Sequence, residues 1–443
     1  MNPRMIRNRR GLPQFDDGAS VVGMIPNRHV YVLGGASTPF IGKGHPDFVW
    51  PKHPDFGKRE NPTLEEHLTR AIMLALETTG VPASAIQRGF VANFAGETFA
   101  SQGHLGAMAV RAHPDLAGKP WTRVEAACAS GGCAVVSAVE ALQAGYDVAL
   151  VAGAEVQTTV SARVGADYLA RAAHYALERS IDEFTFPAMF ARRWKAYSQA
   201  HGVTDADLGH VGLKAYQNAN RNPLAHMRTA RRSLEWCQTA SDQNARFLQN
   251  EELKEHLKMS DCSQVSDGGS ALVLCTESGL ARLGKRPSDA IQLRSVGQST
   301  GPLAGVTDLL ALDTTALAAA EVFGDTGVGR EQVGVVEVHD CFTITEWLML
   351  EALGFAARGR APELTLSGAT AIDGRLPVNT GGGLVGFGHP VGATGIKQVV
   401  EVWRQMKGLC GDYQIASRPV FGVTANMGGD DRTAVVTLLE NVA

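Results

Sequence analysis

The sequence predicts an α/β protein made of two duplicated halves, with a helical segment inserted between them. Three observations support this prediction: a repeated order of helix, turn and strand, a glycine-rich turn before a helix in each half, and a central region that lacks the repeat. Strands that alternate with helices form mainly parallel or mixed sheets covered by helices. We therefore expect two similar units of sheet and helix in one chain.

The repeat consists of a helix, a Thr-Gly-Val turn and a buried strand. Its first copy covers 63–81 and the strand 86–94, and its second copy covers 315–328 and the strand 333–339. The second strand leads into the unusual loop His339-Asp340-Cys341-Phe342. Two copies of one unit in the same order predict that the halves share a topology.

A glycine-rich turn precedes a helix in each half. The first turn, 128–132, leads into a helix predicted over 134–144, and the second, 388–395, leads into a helix predicted over 396–406. Small residues at such turns allow close approach of another backbone or a ligand. We expect these turns to lie near a functional site.

The central region, 162–258, is rich in helix signals and basic residues. Between 186 and 234 only two acidic residues offset a basic excess that consists of Arg192, Arg193, Lys195, Lys214, Arg221, Arg228, Arg231 and Arg232. Such an excess in an otherwise acidic chain suits a phosphorylated small ligand, and a solvated helix face is the alternative.

Composition describes an ordinary globular protein. The chain has 443 residues, 44% of them hydrophobic and 19% charged, which is enough for two or three domain-sized cores. The net charge of −4 gives no reason to expect nucleic acid or an anionic membrane as a partner, and no apolar stretch is long enough to span a bilayer. Seven irregularly spaced cysteines favour a reducing compartment, and we expect the cytoplasm.

Cys128 is the leading candidate for catalysis. It lies in Glu125-Ala126-Ala127-Cys128-Ala129-Ser130, where a strand gives way to a helix that starts near Ser130. Unpaired N–H groups and the positive end of a helix dipole lower the pKa of a thiol, so we expect a reactive cysteine. The alternative is a small buried cysteine at a packing point.

Three loops are expected to share one site. If the halves are related by a pseudo-twofold axis, the strand-end loops bring together Cys128, His339, Cys341 and His389. A thiol near two imidazoles suits acyl transfer, since one ring takes the thiol proton and the other donates to a thioester oxygen. Histidines bonded to the backbone and a cysteine that only packs are the alternatives. We expect no metal, because no close pair of ligands occurs within one helix or knuckle.

At these residues the chain resembles the thiolase superfamily, and specifically the sterol carrier protein-type thiolases. The resemblance spans almost the whole chain and rests on motifs in the family order. These motifs are the nucleophile loop around Cys128, the loop His339-Asp340-Cys341-Phe342, the Gly-His-Pro loop with Gly-Ala-Thr-Gly after it, and the shorter segments 37–40, 222–226 and 266–270.

The resemblance implies a thiolase fold, in which two βαβαβαββ halves form five αβαβα layers and carry an inserted loop domain. It further implies coenzyme A thioester substrates, no redox cofactor or metal, and a homodimer or a dimer of dimers. The predicted divisions are an arm at 1–27, an N-terminal half at 28–161 and 259–283, a CoA-binding loop domain at 162–258, and a C-terminal half at 284–443.

The resemblance also implies residue roles. Cys128 is expected to carry the acyl group and His389 to activate it, while His339 and His389 bind a thioester oxygen. The N–H groups of Cys128 and Gly428 are expected to form a second oxyanion site. Three residues are expected to contact the substrate. They are Ser263, near the exit from the loop domain, Asn426, in the C-terminal loop, and Arg228, in the basic insert.

One position departs from the family pattern. Conventional thiolases carry a second catalytic cysteine in a Cys-x-Gly loop near the C-terminus, but this chain has Asn426-Met427-Gly428 there. In the sterol carrier protein-type branch the cysteine of the His-Asp-Cys-Phe loop supplies that thiol. Cys341 is therefore the expected acid and base.

The sequence thus predicts an acyltransferase of lipid metabolism. The expected reaction is CoA-dependent cleavage of a 3-oxoacyl-CoA, as in fatty acid β-oxidation, or the reverse Claisen condensation through a cysteine acyl-enzyme. One alternative is a decarboxylating ketoacyl synthase. The other is a thiolase-like partner subunit that binds acyl-CoA for retro-aldol cleavage or handover.

Overall fold

The computed structural model describes residues 28–306, 308–324 and 326–442, so the arm predicted at 1–27 lies outside the described residues. Nine strands and fifteen α-helices occur in this part of the chain. The strands are β1 (Val30–Ser37), β2 (Arg88–Ala92), β3 (Trp121–Val124), β4 (Val148–Glu155), β5 (Gly268–Thr276), β6 (Ile291–Thr300), β7 (Val333–Glu337), β8 (Phe421–Gly428) and β9 (Thr433–Glu440).

The helices are mostly short, and none within the described ranges is both long and apolar enough to cross a membrane. They are α1 (Leu64–Thr79), α2 (Gly96–Phe99), α3 (Leu105–Ala109), α4 (Ser130–Gln143), α5 (Ala162–Leu169), α6 (Tyr175–Glu178), α7 (Thr185–His201), α8 (Asp205–Ala219), α9 (Leu234–Gln238), α10 (Glu277–Arg282), α11 (Asp313–Gly324), α12 (Thr343–Ala352), α13 (Ala361–Leu366), α14 (Gly383–Phe387) and α15 (Val391–Lys407).

The strands form one mixed sheet in the order β3-β2-β4-β5-β1-β6-β9-β8-β7. In the first half β2 is parallel to β4, and β5 is antiparallel to β4 and β1. In the second half β7 is parallel to β8, and β9 is antiparallel to β8 and β6. Apart from β3, which pairs with β2 and has no counterpart strand in the described second half, the pairing is the same in both halves, so the predicted α/β duplication is confirmed.

The two halves enclose a central layer of helices. A short antiparallel pairing of β1 with β6, from Val30–Leu293 to Val32–Ile291, joins them. Helices α4 and α15 contact strands of both halves, while α1 covers the outer face of the first half and α11 that of the second. One buried apolar cluster includes Val32 and Phe90 from the first half and Val335 and Leu439 from the second. The result is the expected αβαβα order of layers.

Helix α4 begins at Ser130, the start expected from the sequence around Cys128, whereas α15 begins at Val391, before the predicted 396. In both helices the glycine-rich turn forms the first helical turn. A Cβ atom on Gly131 would lie 2.7 Å from the backbone nitrogen of Gly395, so α4 and α15 cross with their backbones in contact. Side chains at these positions would force the helices apart. The glycines therefore serve the crossing that brings the two turns together.

The region 162–258 contains helices α5–α9 and no strand, as expected of an insertion, and the domain boundaries stay predictions. Part of its basic excess is used inside the protein. The Nζ atom of Lys214 lies 2.6 Å from Glu346, and the Nε atom of Arg193 lies 2.5 Å from Asp430, with all four side chains buried. Buried charges need such partners, so these two cations are not available to a phosphate.

The His-Pro-Asp sequences of this chain are turn motifs. In each of them the histidine Nδ1 atom accepts the aspartate N–H, at 3.1 Å for His45 and His53 and at 3.2 Å for His113. The histidine carbonyl accepts the N–H three residues later. A side chain that caps its own turn, with proline in the following position, is a local structural device. This explains the repeat in the loop 44–61 without catalysis.

Candidate active site

Three loops place one thiol and two imidazoles together. Cys128 follows β3, His339 follows β7 and His389 precedes α15. The Cys128 sulfur and one ring nitrogen of each histidine lie within 4.8 Å of one another. The two rings meet edge to face, with centroids 5.0 Å apart and planes at 86°. The structure therefore brings together three of the four residues that the duplication was expected to unite.

A strained turn presents Cys128. Ala127 has a φ of 50°, a left-handed conformation that is rare outside glycine. The Ser130 hydroxyl accepts the Ala126 N–H at 2.9 Å and donates to the Ala127 carbonyl at 2.6 Å. These two bonds hold the turn just before α4 begins at Ser130, and they aim Cys128 toward the histidines.

The Cys128 thiol is protonated in the resting enzyme. Burial raises the pKa of Cys128 to about 12, although the N–H groups of Gly429 and of Cys128 itself act in the opposite direction. The lowering expected from the start of α4 is therefore wrong, because desolvation outweighs the N–H groups. Activation of this thiol requires a base.

Gly428 packs against the same turn. A Cβ atom on Gly428 would lie 3.1 Å from the Ala129 Cβ, so the two loops touch. The backbone N–H group of the partner loop that lowers the pKa of Cys128 belongs to the next residue, Gly429. Sequence reasoning missed Gly429, and the oxyanion role of Gly428 stays a prediction.

His389 is fixed at its backbone and at its ring. Its N–H donates to Ser266 Oγ at 3.3 Å, and its carbonyl accepts from Gln157 Nε2 at 2.8 Å. The ring Nδ1 lies 2.7 Å from Thr394 Oγ1, and that hydroxyl donates its proton to the Pro390 carbonyl at 3.0 Å. Since the hydroxyl proton is already used, Nδ1 carries the ring hydrogen and Nε2 is a free acceptor.

A buried cation lies near His389. Burial, and to a smaller extent the charge of Lys397, lowers the pKa of His389 to about 3. The Lys397 Nζ lies 2.9 Å from Glu337 Oε2 and 4.6 Å from the centroid of the Phe387 ring. This ion pair joins α15 to β7, which carries His339 at its end. His389 is therefore neutral, the state in which an imidazole can accept a thiol proton.

His339 carries its ring hydrogen on the other nitrogen, Nε2. The Asn426 amide Nδ2 lies 3.1 Å from His339 Nδ1 and 3.0 Å from the Cys128 carbonyl, while Asn426 Oδ1 accepts the Gly132 N–H at 3.1 Å. Because the amide donates to Nδ1, the ring hydrogen is on Nε2. Burial, with His389 as a second cause, lowers the pKa of His339 well below its usual range. His339 is thus a neutral hydrogen-bond donor.

Cys341 lies beside this group and outside the compact set. Its sulfur is 3.7 Å from Thr345 Oγ1, and its side chain is buried. Burial raises the pKa of Cys341 well above its usual range, and the nearby Cys128 adds to the increase. The two thiols are therefore close enough to interact, and Cys341 holds its proton in the resting enzyme.

The three residues expected to contact the substrate lie in different places. Ser263 is next to the catalytic loop, since its N–H donates to the Cys341 carbonyl at 2.9 Å. Arg228 pairs with Asp47 at 3.1 Å. Asn426 uses both amide hydrogens and its oxygen on protein groups. The expected substrate contact by Asn426 therefore stays a prediction, and the structure gives its polar atoms protein partners.

Glu155 binds the start of α15 much as Asn426 binds the start of α4, but with a carboxylate in place of an amide. Glu155, at the end of β4, accepts the N–H of Gly392 in the first turn of α15 at 3.1 Å. It also accepts the N–H groups of Phe94 and Ala95 at 2.9 and 3.0 Å. Asn426, in β8, binds Gly132 at the start of α4 in the same way. Each central helix therefore starts on a side chain from the opposite half.

Together these groups form an acyl-transfer site. His389 Nε2 can take a proton from Cys128, and His339 Nε2–H can donate to an oxygen that gains charge. A thiol and two imidazoles are also groups that bind zinc. Here one ligand atom from each residue lies within 4.8 Å of the other two, so the three could share one ion. The nitrogen on which each ring carries its hydrogen decides whether the site suits acyl transfer or zinc binding.

Family comparisons cover nearly the whole described chain. The profile described as "Thiolase, N-terminal domain" matches residues 55–278, and the one described as "Thiolase C-terminal domain-like" matches residues 297–441.

Individual relatives agree with these profiles. The chain is 32% identical over 378 residues to an acetyl-CoA acetyltransferase of Methanothermobacter thermautotrophicus, across 84% of this chain and 94% of the relative. It is 26% identical to sterol carrier protein 2 of Gallus gallus, across 82% of this chain and 65% of that protein. A solved structure described as "Ltp2-ChsH2(DUF35) aldolase" aligns with a TM-score of 0.74 at 21% identity, across 94% of this chain and 99% of that chain.

Proposed function

This chain belongs to the thiolase family, and we propose that it is an acyltransferase that cleaves 3-oxoacyl-CoA with coenzyme A, or condenses acyl-CoA in the reverse direction. The observation that carries this proposal is the Cys128–His339–His389 set, in which one ring accepts and the other donates. The acetyl-CoA acetyltransferase relative supports the same substrate class. No cofactor or metal is proposed, and coenzyme A is a substrate.

The first half-reaction forms an acyl-enzyme. The Cys128 sulfur attacks the keto carbon of the 3-oxoacyl-CoA, and its proton passes to His389 Nε2. The oxygen that becomes negative is stabilised by donors, with His339 Nε2–H ready from the start and His389 Nε2–H available after proton transfer. The carbon–carbon bond then breaks, and its electron pair leaves as the enolate of acetyl-CoA.

Cys341 is the proposed proton donor to that enolate. Its protonated, buried state beside Cys128 supports this role, since a carbon that gains electrons needs a proton from a nearby acid. A second coenzyme A then gives its thiol proton to the Cys341 thiolate and attacks the acyl group on Cys128. The Cys128 sulfur leaves and takes back the proton held by His389, which regenerates the thiol. In the condensation direction Cys341 removes the α-proton of acetyl-CoA.

We propose that the enzyme is a homodimer joined along β3. This strand is one of the two edges of the described sheet, the other being β7, and it pairs on one side only, with β2. Cavities of about 330 and 390 Å³ lie on either side of it, one beside Trp121 and one beside Val124. An open edge flanked by such concave surfaces favours pairing with a second copy. Light scattering after gel filtration measures the mass in solution.

The proposed setting is lipid acyl-CoA metabolism in the cytoplasm. All seven cysteines are free, which suits a reducing compartment. We propose that the basic loop region, with Arg228, faces the phosphates of coenzyme A. The structure described as "Ltp2-ChsH2(DUF35) aldolase" names a DUF35 component, which supports a partner subunit as the second candidate function for this chain.

Thiolysis assays with single-cysteine variants test the proposal. Cys128→Ala is expected to lower kcat by more than about 1,000-fold and to abolish an acyl-enzyme detected by mass, because the nucleophile is lost. Cys341→Ala is expected to retain the acyl-enzyme and to lose turnover. The matched controls are Cys133→Ala in α4 and Cys262→Ala, which lies opposite Phe342; both should keep the parent rate.

Three results would reject or redirect this assignment. Unchanged turnover in both Cys128→Ala and Cys341→Ala would end it. Consumption of malonyl-CoA with release of CO₂ would favour a decarboxylating ketoacyl synthase. Failure of the pure protein to form any acyl-enzyme would favour the role of a partner subunit.

A further inference from the structure

We propose that Asn426 is a positioning residue that holds His339 as a hydrogen-bond donor and, through the same bond, prevents the Cys128–His339–His389 set from binding a transition metal. The part that concerns turnover rests on the proposed function. The part that concerns metal binding rests only on the geometry of the site.

The orientation of the Asn426 amide is determined by two backbone groups. Gly132 offers an N–H at 3.1 Å, which requires an acceptor and places Oδ1 there. The Cys128 carbonyl at 3.0 Å requires a donor and places Nδ2 there. A flipped amide would set oxygen against oxygen and N–H against N–H at these two contacts. The second hydrogen of Nδ2 therefore points to His339 Nδ1.

This donor decides which nitrogen of His339 is protonated. Nδ1 receives a hydrogen bond at 3.1 Å and so uses its lone pair, which leaves the hydrogen on Nε2. The opposite tautomer would set two N–H groups against each other inside the protein. Leaving buried polar groups unpaired in this way is unfavourable, because each loses its bond to water without a replacement. His339 therefore presents a hydrogen, and not a lone pair, to Cys128 and His389.

A metal would need that lone pair. Zinc bound by one cysteine and two histidines takes a thiolate and two unprotonated ring nitrogens. Cys128 can lose its proton and His389 has Nε2 free, and all three donor positions lie within 4.8 Å. His339 is the member that cannot ligate while Asn426 donates to it. Two ligands alone make a weak site, so the native enzyme should tolerate zinc.

Replacement of asparagine by aspartate reverses the polarity of this contact. The carboxylate introduced by Asn426→Asp still accepts from Gly132 and loses the bond to the Cys128 carbonyl, as Asn426→Ala also does. Toward His339 it accepts from Nδ1–H and frees the Nε2 lone pair. A carboxylate behind a histidine is also the arrangement that orients metal-binding imidazoles, and outer partners of this kind change metal affinity by about 10- to 100-fold. Asn426→Ala removes the donor without adding an acceptor.

The experiment compares Asn426→Asp, Asn426→Ala and the parent enzyme, all as full-length protein. Zinc affinity is measured by competition with a chromophoric chelator, and cobalt replaces zinc to reveal a thiolate-to-metal absorption band. We expect Asn426→Asp to bind zinc about 10- to 100-fold more tightly than the parent, with Asn426→Ala between them. The band should disappear when Cys128→Ala is combined with Asn426→Asp. Asn441→Asp, where Nδ2 bonds only the Met406 carbonyl at 3.2 Å, is the matched control.

Thiolysis at about pH 8.5, above the usual histidine pKa, gives a second readout. Asn426→Asp is expected to lower kcat by about 100- to 1,000-fold with a small change in KM, because an oxyanion donor becomes an acceptor. Asn426→Ala should lose less. A purely structural role predicts the reverse order, since alanine removes every bond and leaves a cavity.

Three results would overturn the proposal. The first is a parent enzyme that binds zinc as tightly as Asn426→Asp. The second is equal zinc affinity in all variants, and the third is greater loss of turnover in Asn426→Ala than in Asn426→Asp. If Asn426→Asp does not fold, the comparison of Asn426→Ala with the parent still tests the expected gain in zinc affinity. Since metal binding is measured without substrate, failure of the thiolase assignment would not affect that result.

Discussion

The Nδ1 atom of His389 lies 2.7 Å from the hydroxyl of Thr394, five residues later in the chain. The hydroxyl also donates to the Pro390 carbonyl, so it can only accept from the ring. This relationship turns Nε2 of His389 into a base that faces Cys128. Because burial holds the pKa of His389 at about 3 and that of Cys128 at about 12, the resting pair is a neutral thiol and a neutral imidazole.

Removal of the Thr394 hydroxyl should therefore slow acylation. In Thr394→Val the ring loses the acceptor for Nδ1–H, and the basic tautomer is no longer favoured. We expect the rate of acyl-enzyme formation to fall by about 10- to 100-fold with little change in KM. Rapid-quench mass measurement of the acylated protein checks this. Thr394→Ser, which restores the hydroxyl, should remain within about threefold of the parent, and equal loss in both variants would contradict the argument.

Gly388 is expected to tolerate no side chain. It has a φ of 111°, and a Cβ atom there would lie 2.5 Å from Ser266 Oγ, the acceptor of the His389 N–H. Gly388→Ala should displace His389 and lower kcat by about 100-fold. Gly44→Ala is the matched control, because Gly44 has a φ of 98° and no atom within 4 Å of the new Cβ.

Gly44→Ala should cost only backbone strain, about 1 kcal/mol of stability, with an unchanged kcat. Thermal melts and steady-state kinetics of the two variants separate strain from displacement. Equal loss of kcat in both would show that the contact with Ser266 does not matter.

Acid should destabilise the protein through His67. Burial lowers the pKa of His67 to about 4, while the charge of Glu66 acts in the opposite direction. An unfolded histidine takes up a proton near pH 6.5, so stability from the neutral buried ring is complete above that value and is lost as the pH falls toward 4. Between about pH 7 and pH 5 this amounts to about 2 kcal/mol.

Urea unfolding at these two pH values tests the sign and size of the effect. The parent protein should lose about 2 kcal/mol more than His67→Gln over the same interval. The pH dependence is compared within each protein, so a constant loss of stability caused by the substitution cancels. An equal loss in both proteins would contradict the prediction.

Local sequence signals predict the outer elements well. The helix α1 begins after Thr63, whose side chain and that of Glu66 form a capping box, and it ends at Gly80 in a left-handed conformation. Both copies of the helix–turn–strand repeat are present, and their sheets pair in the same order. These features depend on residues within a few positions of one another, so they can be read from the chain.

The starts of the central helices and the protonation states of the site are harder to predict from the sequence. The sequence predicts too late a start for α15, at 396 instead of Val391, and only the crossing of α4 and α15 shows why glycine is needed in both turns. The local pattern predicts a lowered pKa for Cys128, but that pKa rises because the turn is buried between two halves of the sheet. Desolvation depends on all surrounding elements, which no local pattern reports.

The sequence by itself determined the α/β duplication, the order of the loops and the identity of the chemical groups Cys128, His339, Cys341 and His389. Tertiary structure decided which atoms of those groups donate and which accept. The reason is physical: a tautomer is set by the partner of the other ring nitrogen, and Asn426 reaches His339 from 87 positions away and Gly132 from 294. Only the folded chain brings such partners within hydrogen-bond distance.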